Sequence, residues 1–416
     1  MYQIWEKKSQ EEIKASIFAA LADNVNYGEQ YVLGVPASYL DEKVFSQDEF
    51  FLKDAPFIST LVQNPNHIGC HTLGKSEAYF KGTQAIEKEL IEICAVDILK
   101  GAPHQQDGYV ASGGTEANIQ AIWIYRNYFM RAQQAHRDQV CILCSEDSHY
   151  SMDKAANILA VDIYKVPVDA DSRTIGKVDI VNTIKKAKAS GKTHFIVICN
   201  MMTTMFGSVD AVDHYVQALK EMDVTYKIHV DGAYGGFYFP FTGGKSALTF
   251  QNTEISSFTL DAHKMAQAPY GTGIFLIRKG LIEYATTQQA SYVEGEDCTL
   301  IGSRSGANAI AVWMILVKNG PFGWQEKIFI LQKRTEWLCS ELEKLAIQFY
   351  RYPKSNIVTI RSEFLHRDIV NKFGLVPDNH HRPEWYKIVI MEHVTIEKLM
   401  PLIKAIETRL KIKTIQ

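Results

Sequence analysis

Two polar residues that directly follow apolar stretches have side chains suited to chemistry on an amine. Lys264 follows residues 256–260, which have the pattern of a buried strand, so its amine would be desolvated there and would attack an aldehyde readily. Asp231 ends the apolar stretch 225–230, and a buried carboxylate needs a cationic partner such as a protonated pyridine nitrogen. Taken alone, an exposed lysine and an aspartate that caps a turn are the alternatives.

Two further segments could hold the rest of a planar, phosphorylated ligand. Residues 112–115 read Ser-Gly-Gly-Thr and precede the apolar helical run 119–129. Paired glycines at a helix start let backbone N–H groups approach an anion, which the helix dipole also favours, although a simple tight turn is the commoner reason for the pair. His149 lies just past the apolar run 140–144, where it could stack on an aromatic ligand or serve as an ordinary structural histidine.

Alternating strand and helix patterns separate these segments. The predicted strands are residues 140–144, 195–199, 225–230, 256–260 and 273–277, and the predicted helices between them include 178–189 and 209–222. This alternation predicts an α/β fold with a mostly parallel central sheet covered by helices. Ligands of such sheets bind beyond the carboxyl ends of the strands, where Lys264, Asp231 and His149 would meet.

Three units are predicted along the chain. Residues 1–75 are expected to form an N-terminal helical and loop segment that contributes to a dimer and to the pocket. Residues 76–308 would form the large cofactor-binding α/β domain, and residues 309–416 a smaller C-terminal α+β domain. The last prediction rests on helical patterns at 309–318, 324–346 and 396–410 and on strand patterns at 357–360 and 386–391.

Composition and charge exclude several classes of protein. The 416 residues carry a formal charge of −3, which argues against a dedicated nucleic-acid binder. The polar N-terminus has no apolar signal region, and no apolar run is long enough to span a bilayer, so a cytoplasmic protein is expected. Cys141 and Cys144 would point to opposite faces of one strand, which favours buried, reduced thiols and no metal site.

The four segments, in this order, resemble the group II pyridoxal-phosphate decarboxylases, which include glutamate, aromatic amino-acid, histidine and archaeal tyrosine/aspartate decarboxylases. The resemblance covers residues 60–320 and is most specific at the His-Lys pair ending in Lys264 and at Asp231-x-Ala233. Residues 200–210 and 302–306 are also similar to family motifs. The resemblance implies the pyridoxal-phosphate aminotransferase-like fold (fold type I), pyridoxal 5′-phosphate as cofactor, and conversion of an L-amino acid to an amine and CO₂.

The resemblance also implies a catalytic set of four residues. Lys264 would form a Schiff base with the cofactor, Asp231 would keep the pyridine nitrogen protonated, and His149 would stack on the ring. Tyr292 would lie on a loop that closes over the site, excludes water and returns a proton to the α-carbon.

A larger set is implied to bind the cofactor. It comprises Ser112, Gly113, Gly114, Thr115, His149, Thr204, Asp231, Ala233, His263 and Lys264. Two positions depart from the family pattern. Met202 replaces a glycine before the Thr-Thr pair, and Asp261 stands where many relatives have asparagine. A carboxylate disfavours direct contact with a phosphate, so Asp261 is left out of the set.

The polar stretch 64–72 carries the predictions about substrate and oligomer. It contains His67 and His71, and in the family the equivalent stretch lines a pocket that a second subunit completes. We therefore expect a homodimer with active sites at its interface, in which this stretch contacts the substrate's side chain. Imidazoles there favour a polar or acidic amino acid over a plain aromatic one, although acidic, imidazole and aromatic substrates all remain possible.

Two other functions are compatible with the same motifs. One is a pyridoxal-phosphate lyase that cleaves a carbon–carbon bond to release an aldehyde, since such enzymes share an Asp-x-His-Lys motif. The other is a catalytically inactive relative with a regulatory role, and the intact set of Asp231, Lys264 and His149 argues against it.

Overall fold

A seven-stranded sheet forms the centre of the computed structural model, which describes residues 4–26, 49–74, 77–243, 246–286 and 297–415. Its strands are β1 (Gln106–Ala111), β2 (Val140–Ser145), β3 (Asp162–Val166), β4 (His194–Asn200), β5 (Thr225–Gly232), β6 (Ile255–Asp261) and β7 (Gly273–Arg278). The spatial order is β1-β7-β6-β5-β4-β2-β3, in which only β7 runs antiparallel to its neighbours. The predicted α/β fold with a mostly parallel sheet is confirmed.

Helices pack against both faces of this sheet and against the C-terminal part of the chain. They are α1 (Gln10–Ala22), α2 (Pro56–Gln63), α3 (Lys81–Glu92), α4 (Gly114–Ala132), α5 (Ser151–Leu159), α6 (Lys177–Ala189), α7 (Val212–Glu221), α8 (Gly306–Lys344), α9 (Arg367–Phe373) and α10 (Ile396–Ile415). None of the α-helices in the described ranges has the length and apolarity needed to cross a membrane.

Strand β2 shows how the sheet divides the core. All six of its residues are buried, as expected for a strand covered on both faces. Cys141 belongs to the hydrophobic cluster on one face and Cys144 to the cluster on the other. The predicted opposite orientation of the two thiols is therefore confirmed, and both cysteines are free.

The C-terminal part of the chain forms its own four-stranded antiparallel sheet. Its strands are β8 (Phe349–Tyr350), β9 (Ile357–Arg361), β10 (Val376–Pro377) and β11 (Trp385–Val389), in the order β10-β11-β9-β8. Helix α8 connects the two sheets, and the predicted boundary at residue 309 falls within its first turn. The division into three units otherwise remains a proposal.

Helix α8 is interrupted at Gly320, whose φ of 64° lies in the left-handed region and which precedes Pro321. Residues near the N-terminus satisfy two carbonyl groups that the interruption leaves free. The indole Nε1 of Trp5 donates to Leu316 O at 3.0 Å, and Lys8 N donates to Val317 O at 2.8 Å. Residues 5–8 are thus hydrogen-bonded to the middle of α8.

Candidate active site

Lys264 lies in the turn that follows β6, at the carboxyl edge of the sheet. Its backbone N–H donates to Asp261 O at 3.2 Å, and its Nζ lies 3.8 Å from Asp261 Oδ2. The side chain keeps 31% of its surface exposed. The amine is therefore only partly desolvated, and it opens into a cleft.

That cleft collects five of the residues predicted from the sequence, namely His149, Thr204, Asp231, Ala233 and Lys264. Its lining consists of His149, Asn200, Met202, Thr203, Thr204, Asp231, Ala233, Tyr234 and Lys264. These residues meet because β2, β4, β5 and β6 are neighbours whose carboxyl ends lie on one edge.

Asp231 is fixed by two hydrogen bonds at the end of β5. Its Oδ1 accepts the N–H of Ala233 at 3.0 Å, and its Oδ2 accepts Nδ2 of Asn118 at 2.9 Å. The side chain is 7% exposed, so the carboxylate is oriented and largely desolvated. Such a carboxylate is suited to pair with one cation in the cleft.

Asn118 was missed by the sequence reasoning. Its amide is oriented by His229, whose Nε2 lies 3.0 Å from Asn118 Oδ1 and whose Nδ1 lies 2.6 Å from Ser257 Oγ. Burial lowers the pKa of His229 to about 4, so its ring is neutral at neutral pH and the NH₂ group of Asn118 faces Asp231. Its position in the sequence could have indicated it, because Asn118 lies one helical turn after Gly114 and so shares its face of α4.

His149 follows β2 and stands over the cleft. Its Nδ1 accepts the N–H of Ser151 at 3.2 Å and lies 2.9 Å from Ser151 Oγ. Burial lowers the pKa of His149, an effect that the charge of Asp231 opposes. A neutral imidazole held in this way can present its face to a planar ligand.

The predicted phosphate-binding residues form the start of α4. A Cβ atom on Gly114 would lie 3.0 Å from Ala233 Cβ and 3.2 Å from Asp261 Oδ2, so the close packing requires glycine. The Ser112 N–H already donates to Glu116 Oε2 at 2.6 Å. In the first turn of α4, the N–H of Gly114 donates to Asp261 Oδ2 and that of Ala117 to Gly113 O, each at 3.2 Å, and the positive end of the helix favours an anion here.

The wall that carries Thr204 is held by the C-terminal sheet. Lys387 on β11 donates from Nζ to Thr204 O at 2.8 Å, and the Phe206 ring meets the Trp385 ring edge-on at 5.9 Å. Met202 adopts a φ of 70° here, a left-handed conformation that glycine adopts more easily than methionine. Lys387 was not predicted, and its only signal was a charged residue inside an apolar strand pattern.

His67 and His71 lie in a different buried group, the Glu87 cluster, formed by Glu87, Arg304, His67 and His71. Arg304 Nη1 donates to Glu87 Oε1 at 2.5 Å. His67 Nδ1 and His71 Nε2 lie 2.5 and 3.2 Å from Glu87 Oε2. His71 also lines a second, larger cavity, which includes Trp5 and Gln106 and lies on another side of the molecule from Lys264.

The charges of the Glu87 cluster are balanced within the protein. Burial alone would raise the pKa of Glu87, but Arg304 and His67 outweigh it and hold the pKa well below its usual range. Burial lowers the pKa of His67 to about 4, so this imidazole is neutral at pH 7. The two histidines and the carboxylate are close enough to hold a metal ion, but Arg304 already neutralises that carboxylate, which argues against one.

The cleft fits pyridoxal 5′-phosphate in each of its parts. Lys264 can react with the aldehyde, Asp231 can face the pyridine nitrogen, and the start of α4 can receive the phosphate. Ala233 and His149 both line the cleft, where a flat ring could contact them. Fold and site together define a fold type I enzyme that depends on pyridoxal phosphate. Tyr292 falls in residues 287–296, outside the described residues, so its role stays a prediction.

Comparisons with known proteins agree with this class. The pyridoxal-dependent decarboxylase conserved domain matches residues 79–358. A tryptophan decarboxylase of Clostridium sporogenes is 48% identical over 402 residues, which cover 96% of each chain. A probable L-tyrosine/L-aspartate decarboxylase of Methanocella arvoryzae is 28% identical over 86% of this chain and 95% of its own. The chain belongs to the pyridoxal-dependent decarboxylase family and is an amino-acid decarboxylase.

A solved structure shows the same fold. L-methionine decarboxylase from Streptomyces sp. 590, crystallised with L-methionine methyl ester, superposes with a TM-score of 0.69 at 20% identity. The superposition covers 82% of this chain and 86% of the other. This likeness confirms the predicted fold, and the conserved domain together with the similarity to tryptophan decarboxylase confirms the predicted family and cofactor.

Proposed function

We propose that this enzyme decarboxylates L-tryptophan, or an aromatic amino acid of similar shape, to the corresponding amine. The observation that carries the proposal is the 48% identity, over 96% of each chain, to a tryptophan decarboxylase. Aromatic substrates were among the possibilities left open by the sequence, although the two histidines favoured a polar or acidic one.

The surroundings of those histidines support the revision. His67 is fully buried and neutral at pH 7, and both rings face Glu87. Both rings already contact Glu87, so neither is free to bind an acidic side chain of a substrate. The described cleft, in contrast, offers the apolar surfaces of Met202 and Tyr234.

The residues of the cleft divide the work of the reaction. Bound pyridoxal phosphate supplies an aldehyde that condenses with amines and a pyridine ring that withdraws electrons from the substrate's α-carbon. Lys264 supplies the amine that the substrate displaces, and Asp231 keeps a proton on the ring nitrogen. His149 and Ala233 line the cleft and would hold the ring in place.

Protonation of the α-carbon is assigned to Tyr292 on the strength of the family resemblance. We also propose that the chain acts as a cytoplasmic homodimer, because the family's pocket is completed by a second subunit. Sedimentation velocity tests the oligomer, and an active monomer would contradict it.

The substrate is tested with a panel of tryptophan, tyrosine, phenylalanine, histidine, glutamate and methionine, scoring CO₂ and amine by mass spectrometry. Tryptophan should give the highest kcat/KM and equal amounts of both products. A preference for glutamate would refute the aromatic assignment. Release of an aldehyde without CO₂ would favour the carbon–carbon lyase.

The contribution of His67 and His71 is measured with the same assay. Phenylalanine at either position should change KM only if the segment reaches a substrate pocket in the dimer. Unchanged KM and kcat in both variants would remove this stretch from the site.

A further inference from the structure

Asp261 lies where the cofactor's phosphate is expected, although it is itself an acid. Its side chain is 2% exposed. Its Oδ2 accepts the N–H of Gly114, at the start of α4, at 3.2 Å. Its Oδ1 lies 2.7 Å from Nδ1 of His263. The carboxylate therefore already uses one of the amide donors that a phosphate would need.

The groups facing Asp261 do not remove the repulsion between its carboxylate and a bound phosphate. Lys264 and His263 come from its own turn, the positive end of α4 faces it from one side, and Asp231 faces it from β5. Burial raises the pKa of Asp261 to about 6, Lys264 opposes the rise and Asp231 adds to it. A phosphate dianion bound at the same amide would add a second negative charge beside Asp261. Like charges at one desolvated site raise the pKa of the weaker acid further.

We propose that binding of the cofactor's phosphate drives uptake of one proton by Asp261, whose carboxylic O–H then donates a hydrogen bond to a phosphate oxygen. The proton comes from solvent, and no covalent bond of the protein or cofactor breaks in this step. The inference rests on the placement of the phosphate at the start of α4 in the proposed site. It makes Asp261 a specificity residue for the phosphate and explains how a carboxylate can stand where relatives keep a neutral amide.

The coupling has a definite sign. Phosphate raises the pKa of Asp261, so bound protein holds more protons than free protein above pH 6. Affinity for the phosphorylated cofactor must therefore fall as pH rises, by up to about tenfold per pH unit from this residue. Pyridoxal, which lacks the phosphate, should not show this component.

The test is isothermal titration calorimetry of the full chain, freed of cofactor, at pH 7.5 in two buffers with different ionisation enthalpies. Pyridoxal phosphate and pyridoxal are the two ligands. The phosphate ester of the cofactor, whose second pKa is about 6, is mostly a dianion at this pH. Wild-type protein should take up close to one proton more with the phosphorylated ligand than with pyridoxal.

Asp261→Asn is the matched variant, since an amide oxygen can still accept the Gly114 N–H. It should abolish the difference in proton uptake and bind pyridoxal phosphate up to about 10²-fold more tightly than wild type at pH 8, two pH units above the pKa of free Asp261, with pyridoxal unaffected. Equal proton uptake for the two ligands in wild type would overturn the proposal, as would a variant that keeps the wild-type difference. If the variant fails to fold by circular dichroism, the wild-type comparison decides alone.

A separate measurement tests whether the cofactor binds at Lys264 at all. Borohydride reduction of the loaded wild-type protein followed by peptide mapping should label Lys264. If it labels another lysine, the proposed site and this inference both fall. Labelling of Lys264 together with equal proton uptake would contradict only the role of Asp261.

Discussion

The cleft at Lys264 and the Glu87 cluster are both buried polar regions, yet their charges are arranged differently. In the Glu87 cluster, one carboxylate faces a guanidinium and two imidazoles, and all four side chains are at most 9% exposed. In the cleft, the Lys264 side chain is 31% exposed, and Asp231 receives hydrogen bonds from neutral groups only. The charge of Glu87 is balanced by Arg304 within the Glu87 cluster. Among the described residues of the cleft, Asp231 has no charged hydrogen-bond donor and can still pair with a cation.

The difference separates structural polar residues from functional ones. Histidines at 67, 71 and 149 look alike in the sequence, and only the partners of each ring distinguish them. A region whose charges are already paired should affect stability when mutated, and a region left incomplete should affect activity.

The largest effect is expected from Lys264→Ala, which should reduce decarboxylation by at least about 10³-fold because no other residue supplies the reacting amine. The variant should fold, since the side chain is partly exposed and contributes little to packing. Circular dichroism and a CO₂-release assay measure the two properties. An active Lys264→Ala protein would place the nucleophile elsewhere.

Glu87→Ala should lower the free energy of unfolding by about 3–5 kcal/mol, because it leaves the Arg304 guanidinium buried without a counter-charge. Urea denaturation measures this change. Glu336→Ala, which breaks a half-exposed pair with Lys333, is the matched control and should change little. Similar unfolding curves for the two variants would mean that the Glu87 cluster is not the structural region described here.

Asp231→Asn should retain the fold and reduce kcat by about 10²-fold, because a neutral amide cannot hold the ring nitrogen protonated. Asp210→Asn is the control, since burial raises the pKa of Asp210 to about 7 and its carboxyl is already partly protonated at neutral pH. Steady-state kinetics of the two variants should differ clearly. Equal losses would show that Asp231 acts only as a buried hydrogen-bond acceptor.

The smallest effect concerns pH. The folded-state pKa of His67 is about 4, below its ordinary value, so the unfolded chain binds the extra proton and stability is lost as pH falls from 6.5 toward 4. His229 acts in the same direction and Asp210 in the opposite one, so a difference measurement is needed. The fall in Tm between pH 7 and pH 5 should be smaller in His67→Gln than in wild type.

His380→Gln, at an exposed position, provides the control and should follow the wild-type curve. If His67→Gln also follows that curve, His67 does not titrate in this range.

Much of the sheet could be predicted, because buried parallel strands are short apolar runs bounded by polar residues. Residues 225–230 proved to be part of β5 (Thr225–Gly232), and residues 178–189 part of α6 (Lys177–Ala189). Strand β1 was not predicted, since Asp107-Gly108 within it is typical of a turn. Strand β3 was missed because it lies at the edge of the sheet and four of its five residues are at least partly exposed.

The site could be predicted where its residues lie at the end of a strand, as Asp231 does, or within a few residues beyond one, as Lys264 and His149 do. The groups that hold them could not, because they come from distant parts of the chain. Arg304 and Glu87, for example, are 217 positions apart. Nothing in a local pattern indicates such a pair. The sequence therefore could not show that His67 contacts Glu87, and the polar stretch was predicted to contact the substrate.

The contact between Trp5 and the interrupted helix α8 has a consequence for biosynthesis. The indole and its acceptor, Leu316 O, are separated by 311 positions. At ribosomal rates of roughly 5–20 residues per second, Trp5 leaves the ribosome about 15–60 s before its partner exists. We expect the N-terminus of a nascent chain stalled before residue 316 to be cut readily by protease, and that of the released chain to resist. The segment around Trp5 can therefore be among the last parts of the chain to reach its final place.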